Sequence, residues 1–202
     1  MEQKTIRFGE YDWIVLEERA DSLLLLAKEI SELRPFDTDF DDEIWESCEL
    51  RRYLNGEFLQ RFSAEEQERI LSVTLPNSRN PWFDTPGGDD TEDKIFLLSI
   101  EEAVGYFGGT LGDKSGALDI DGGKFVPVEN GTGGFFSDQG DALRQANYRG
   151  AAAYWWLRSP GVHHSTAAVV CDNGGIGVLG FDLMTVLDVG GVGVRPAMWI
   201  KK

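Results

Sequence analysis

The side chains with chemical potential gather late in the chain. His163 and His164 are its only histidines, and they stand side by side just after Pro160-Gly161, with Ser165 and Thr166 following at once. Neighbouring side chains on an extended strand point to opposite faces, so the two imidazoles chelate one ion only across a turn. A zinc site needs three or four ligands, and Cys171 is the only other soft donor nearby. We therefore assign no metal ligands. Behind a Pro-Gly turn the histidines belong at a loop tip, where binding residues concentrate.

Other reactive groups lack the partners that turnover requires. Cys48 and Cys171 are the only thiols. Their separation fits no metal motif and a chain of this size needs no disulfide, so both are expected as buried thiols. Ser159 precedes Pro160 and lies outside any Gly-x-Ser-x-Gly elbow. Gly131-Thr132-Gly133-Gly134 is not followed by the Gly-Lys-Ser/Thr of a phosphate loop. The acidic runs (Asp37, Asp39, Asp41, Asp42, Glu43, and Asp89, Asp90, Glu92, Asp93) lack EF-hand spacing and read as solvated segments. No catalytic residue and no cofactor is assigned. Arg158 and Arg195, each beside a β segment and a proline, read as structural, because a guanidinium can tie carbonyls or a carboxylate into a frame.

Composition narrows the classes. The chain has 202 residues, 42% of them hydrophobic, enough for one sizeable core and read as a single domain over 1–202. A net charge of −16 argues against nucleic acid and against anionic membrane surfaces. No apolar run approaches the ~20 residues of a membrane helix, and Met1-Glu2-Gln3-Lys4 does not open a signal peptide, so cytoplasmic residence is expected.

The elements that must position these residues are mixed. Ile6, Phe8, Trp13, Val15 and Leu16 are β formers, and Leu23 to Leu26 fits a strand buried on both faces. Ile44, Trp45, Cys48, Leu50, Tyr53 and Leu54 give a helical face that should stop at Asn55-Gly56. Ser63 to Glu66 and Ser99 to Glu102 have capping-box spacing. The second box opens a helix carrying Ile100, Ala103, Val104 and Phe107, with a strand expected just before it over Lys94 to Leu98. Residues 108 to 150 are Gly-rich and poor in apolar side chains, and read as surface excursions. Short strands then recur over Ala167–Cys171, Ile176–Leu179, Leu183–Leu187 and Val194–Ile200, with Asn173-Gly174 as a hairpin turn. Trp155, Trp156 and Trp199 are expected in the core, while Trp82, Phe83 and Phe181 lie in apparent loops. The fold class is α+β: N-terminal strands, two or three helices, a loop-rich middle and a C-terminal antiparallel β meander.

This order resembles an uncharacterised bacterial domain family related to the C-type lectin fold. The matching residues are Phe8-Gly9-Glu10-Tyr11-Asp12-Trp13, Leu50-Arg51-Arg52-Tyr53-Leu54-Asn55, Trp156-Leu157-Arg158-Ser159-Pro160-Gly161, the Asn173-Gly174 turn and Val194-Arg195-Pro196-Ala197. The wider fold group includes lectins, sulfatase-modifying oxidases and retroelement-diversified binding proteins, and the resemblance implies a binding face between Val162 and Val189. The calcium-lectin loops are missing, with only Val128-Glu129-Asn130 and Trp82-Phe83-Asp84 in their place. Nothing sets Cys48 beside Cys171 as the oxidases require. The expected function is therefore non-enzymatic, metal-free recognition of a protein or glycan. The contact residues expected are His163, His164, Ser165, Thr166, Asp172, Asn173, Phe181, Asp182 and Met184. An enzyme of the sulfatase-modifying-factor-like group with an unrecognised active site, and a purely structural module, are the alternatives left open.

Overall fold

The computed structural model describes residues 3–38, 44–111, 119–120, 123–126, 135–183 and 191–202. The chain opens with β1 (Thr5–Phe8), β2 (Tyr11–Glu18), β3 (Ser22–Ala27) and a short β4 (Glu32–Leu33). Helix α1 (Glu49–Tyr53) runs into a π turn, Leu54–Phe58, and a 3-10 turn, Leu59–Arg61, before α2 (Ala64–Arg69). Then come β5 (Val73–Leu75), β6 (Thr91–Asp93), α3 (Ile100–Gly105), β7 (Asp119–Ile120), β8 (Gly123–Val126) and β9 (Phe135–Ser137). Helix α4 (Asp141–Arg144) precedes the small hairpin β10 (Asn147–Tyr148) and β11 (Ala151–Ala152). The chain closes with β12 (Trp155–Pro160), β13 (Thr166–Val170), β14 (Ile176–Asp182), β15 (Gly193–Val194) and β16 (Ala197–Lys201). The protein is α+β, mostly strand, with four α-helices among the described residues.

Two sheets carry the core. A four-stranded sheet has the order β1-β2-β3-β16, and an eight-stranded one the order β4-β15-β12-β13-β14-β9-β8-β7. As the four leucines predict, β3 is buried along its whole length. It pairs with β2 on one side and with β16 on the other, Leu26 opposite Ala197 and Leu23 opposite Ile200. The far edge of β16 is capped by Leu71 N donating to Trp199 O (2.8 Å) and by mutual bonds between Phe96 and Ala197, which blunts an otherwise open edge.

The C-terminal meander holds only for β12-β13-β14. β15 lies parallel to β12, with Trp155 opposite Gly193, and β16 leaves for the other sheet. The expected continuous strand Val194–Ile200 is broken at Arg195-Pro196 because that is where the chain changes sheets. Residues Lys94 to Leu98 form no ladder. Phe96 bonds β16 on one side, while Leu98 O accepts Arg158 N (2.9 Å) from β12. This buried segment stitches the two sheets together. The stretch read as surface excursions also contributes: β9 pairs with β14, and Phe136 is buried.

Both capping boxes form as their spacing requires, at Ser63 with Glu66 and at Ser99 with Glu102. The stop expected at Asn55-Gly56 does not occur. The Asn55 amide is drawn sideways, donating to Arg51 O, Asp93 Oδ1 and Ile95 O and accepting from Lys94 N (2.8 Å) and Ile95 N. The chain stays helical through a wider turn that seats Phe58 in the core. Asp93, expected in a solvated run, is buried and accepts from Trp45, Arg51, Asn55 and Thr91. Four donors replace the water that the carboxylate loses. Asp39, Asp41, Asp42 and Glu43 lie outside the described residues.

Glu32 anchors the short strand β4. Its carboxylate accepts from Tyr53 Oη and pairs with Arg34 (3.0 Å) and Arg61 (3.0 Å), while the Arg34 guanidinium lies 3.6 Å above the Tyr53 ring. Burial alone would raise this carboxyl, but the bonds from Tyr53 and Arg34 and the Arg61 charge outweigh it and hold it below its usual value. A carboxylate lowered in the folded state stabilises above its unfolded pKa, and that contribution is lost as pH falls through the folded value. Glu32→Gln should therefore lower the urea midpoint at pH 7 and flatten its decline below pH 4.5. Urea titrations between pH 3 and 7 measure this, and a decline as steep as that of the wild-type chain would count against the role.

Candidate functional site

The site grows from two breaks in one ladder. Along β12, Trp156 faces Val169 and Pro160 faces Ala167, so four steps of β12 span two steps of β13. Along β14, Gly177 faces Val169 and Phe181 faces Ala167, the same excess on the other side. Both flanking strands bulge away from Ala168, and the carbonyls they turn out need new donors. Asn80 supplies them: its Nδ2 donates to Val178 O (2.8 Å), Pro160 O (2.9 Å) and Gly161 O (3.2 Å). Its Oδ1 accepts from Trp82 N (2.9 Å) and Phe83 N (3.3 Å). Val162 N takes the Leu179 carbonyl at 2.8 Å. The β14 bulge closes at Gly180, with φ at +79° and only 2.5 Å between an added Cβ and Ala167 O, so any side chain there meets backbone.

Between the bulges and the β12–β13 turn lies a cleft of about 630 Å³. Its walls are Phe135, Tyr154, Val162, His163, Thr166 and the β14 stretch from Leu179 to Asp182, with Gly177. The rings of Tyr154 and Phe181 meet at a centroid distance of 5.3 Å and a tilt of 46°. Both are half-buried, so part of each face is open to the cleft. Burial and the nearby Asp172 carboxylate push the Tyr154 phenol upward, which keeps it a neutral donor at physiological pH. Thr166 fixes the turn: its Oγ1 donates to His163 O (2.9 Å) and accepts from His163 N (3.2 Å).

Residues 20–202 match the family described as a domain of unknown function, DUF6273. The chain belongs to this family. No curated protein and no solved structure matches it. The DUF6273 match begins after β2, yet the preceding hairpin is integral to the packing, since Trp13 is fully buried and β2 pairs along β3.

Within this DUF6273 chain the structure brings together four of the residues that the sequence singles out. His163, Thr166, Phe181 and Asp182 line the cleft. Ser165 contributes its carbonyl, which accepts Leu183 N (3.2 Å), and half-buried His164 sits in the same turn without lining the cleft. Asp172 and Asn173 belong to the β13–β14 hairpin, but the turn is longer than a two-residue Asn-Gly loop. Gly174 alone takes positive φ, and Asn173 Oδ1 accepts Gly175 N (3.0 Å). That turn is docked on α4, where Arg144 Nε donates to Gly174 O (2.9 Å). Asn173 is therefore a turn-former, while Asp172 acts on the cleft through Tyr154. Met184 lies outside the described residues, as do Gly131-Thr132-Gly133-Gly134 and Val128-Glu129-Asn130.

Sequence reasoning passed over Tyr154 and Phe135. Tyr154 stands just before β12, which is buried along its whole length, and Phe135 opens β9, so local spacing held no signal for either. Trp82 and Phe83 pack against the core, with Trp82 5.5 Å from the Phe136 ring. Arg158 is structural, gripping both oxygens of Glu102 and the carbonyls of Leu97 and Pro76. Among the described residues, no group of three His, Cys, Asp or Glu side chains converges on a metal-sized site.

Cys48 and Cys171 are both buried and unbridged, and burial pushes each thiol up to about 12. Neither is a thiolate at neutral pH, and the thiolate is the reactive form. Both should resist a thiol-specific disulfide reagent in the folded protein and react in urea. Rapid native labelling of either would refute this account of their burial. Asn80→Ala strips three carbonyls of their donor and should cost roughly 2–4 kcal/mol in urea unfolding. A loss below ~1 kcal/mol would mean that water replaces the amide.

Proposed function

We propose that this chain is a recognition domain without turnover, taking a protein or glycan ligand at the Tyr154–Phe181 cleft with no metal bridging the contact. One observation carries the reading: two partly open aromatic rings share a cleft with the His163 and Asp182 side chains. Rigid rings supply contact area at low entropic cost, and the small polar groups beside them set orientation. A volume of about 630 Å³ falls within the range of ligand sites.

On the same footing we assign the chain, as one domain, to a C-type-lectin-like fold. The order of N-terminal strands, helices, a long middle and C-terminal strands supports this, as does a cleft lined in large part by the segment that the resemblance marks for binding. Cytoplasmic residence is the matching proposal, supported by two thiols left unbridged. No helix of the described residues is long and apolar enough to cross a membrane.

The test is a direct comparison of glycan and peptide arrays probed with the purified chain and with a His163→Ala/Phe181→Ala variant of unchanged melting temperature. Retention of one ligand class, weakened at least ~10-fold in the variant, is expected, since buried aromatic anchors dominate such contacts. Equal retention by the variant would move the binding face away from this cleft.

A further inference from the structure

The chemistry of the cleft goes further than its shape. Elsewhere in the described chain, several ring faces are covered by the protein's own arginines. Arg34 lies 3.6 Å from the Tyr53 centroid, Arg19 lies 3.9 Å from that of Trp199, and Arg149 lies 5.1 Å from that of Tyr148. No such internal cation covers the Tyr154–Phe181 pair among the described residues. Those two rings meet at a tilt of 46°, and both residues line the cleft. Asp182 forms part of the same wall, and Asp172 lies close enough to act on the Tyr154 phenol.

The negative faces of two rings and nearby carboxylates favour the same kind of ligand. A cation over an aromatic face is held by the ring quadrupole, more strongly as it is desolvated. A carboxylate at the rim adds Coulomb attraction. A net charge of −16 draws cations toward the whole molecule and repels anions. A neutral sugar would use the rings and hydrogen bonds but would gain nothing from the charge.

We infer that the cleft selects an organic cation, an alkylammonium or guanidinium group that sits in the Tyr154–Phe181 corner and faces Asp182. This rests on the recognition reading above and specifies what the recognised group is. Two sources share that chemistry: a Lys or Arg side chain presented by a partner protein, and a free small amine.

The test uses NMR titration of the full chain with assigned Tyr154, Phe181 and Asp182 signals. The probes are Nα-acetyl-arginine methylamide, tetramethylammonium chloride, the uncharged neopentyl alcohol, and methyl glucoside as the glycan arm. Saturable shifts at the three residues are expected with a cation, at an affinity roughly 10-fold above neopentyl alcohol. Phe181→Leu and Asp182→Asn should each weaken the cation several-fold. If Phe181→Leu fails to fold, the exposed Asp182→Asn carries the comparison. Saturation by the arginine derivative alone supports a peptide side chain, and saturation by tetramethylammonium as well supports a small amine. Equal or tighter binding of either uncharged probe at these residues would overturn the cation inference and leave the recognition cleft standing. Silence of all four probes at these residues would overturn both.

Discussion

A guanidinium buried without a carboxylate against it joins the two sheets. Arg195 sits where the chain crosses from β15 to β16, and its fork reaches the carbonyls of Ala27 (2.9 Å), Arg144 (2.9 Å) and Lys28 (3.3 Å). The Trp155 ring lies 4.9 Å from its carbon. Complete burial pulls its pKa down to about 9, which still leaves it charged at neutral pH. A buried charge is tolerable only where every donor finds an acceptor. The ends of β3 and α4 must therefore arrive together at one point. Lysine has no such fork and could not meet three carbonyls in this geometry.

The same rule governs the rest of the frame. Many strands here have only two or three residues, and both β12 and β14 break their ladders, so many carbonyls lack a β partner. Polar side chains close those gaps. Asn80 serves the two bulges, Asn55 serves the turn before α3, and Arg158 ties the β12 bulge to Glu102, which also completes the α3 capping box. Asn80 and Asn55 each bond through both ends of the amide, and Arg158 through both terminal nitrogens, so rigidity comes from these cross-links more than from long ladders. The cleft follows from this construction. Strands that bulge on either side of Ala168 flank the cleft, and the Asn80 amide ties carbonyls of both.

How much of this was legible varies with the range of the interaction. Both capping boxes were read from four-residue spacings and form as expected, because a cap is a contact between residues three apart. The buried β3 was legible from four consecutive leucines. The Asn55-Gly56 stop failed because a long-range claim on the Asn55 amide outweighed a local terminator signal. Asp93 looked like one acid in a polar run, and only the arrival of Trp45 and Arg51 from another part of the chain made it a core residue. His163, Thr166, Phe181 and Asp182, expected as contacts from a loop-tip argument for the histidines and from the segment the resemblance marks, line the cleft. Tyr154 and Phe135 were not expected there, since their role depends on which strands become neighbours.

By itself the sequence determined the α+β composition, the starts of α2 and α3, the apolar strand β3, and the structural character of Arg158 and Arg195. All of these rest on local spacing or on the energetic cost of leaving a charge unpaired. Tertiary structure alone decided the parallel seat of β15, the passage of β16 to the first sheet, the paired bulges and the meeting of Tyr154 with Phe181. Those depend on contacts between residues far apart in the chain, where loop closure and the demand for hydrogen-bond partners select one arrangement from several that the local pattern permits equally.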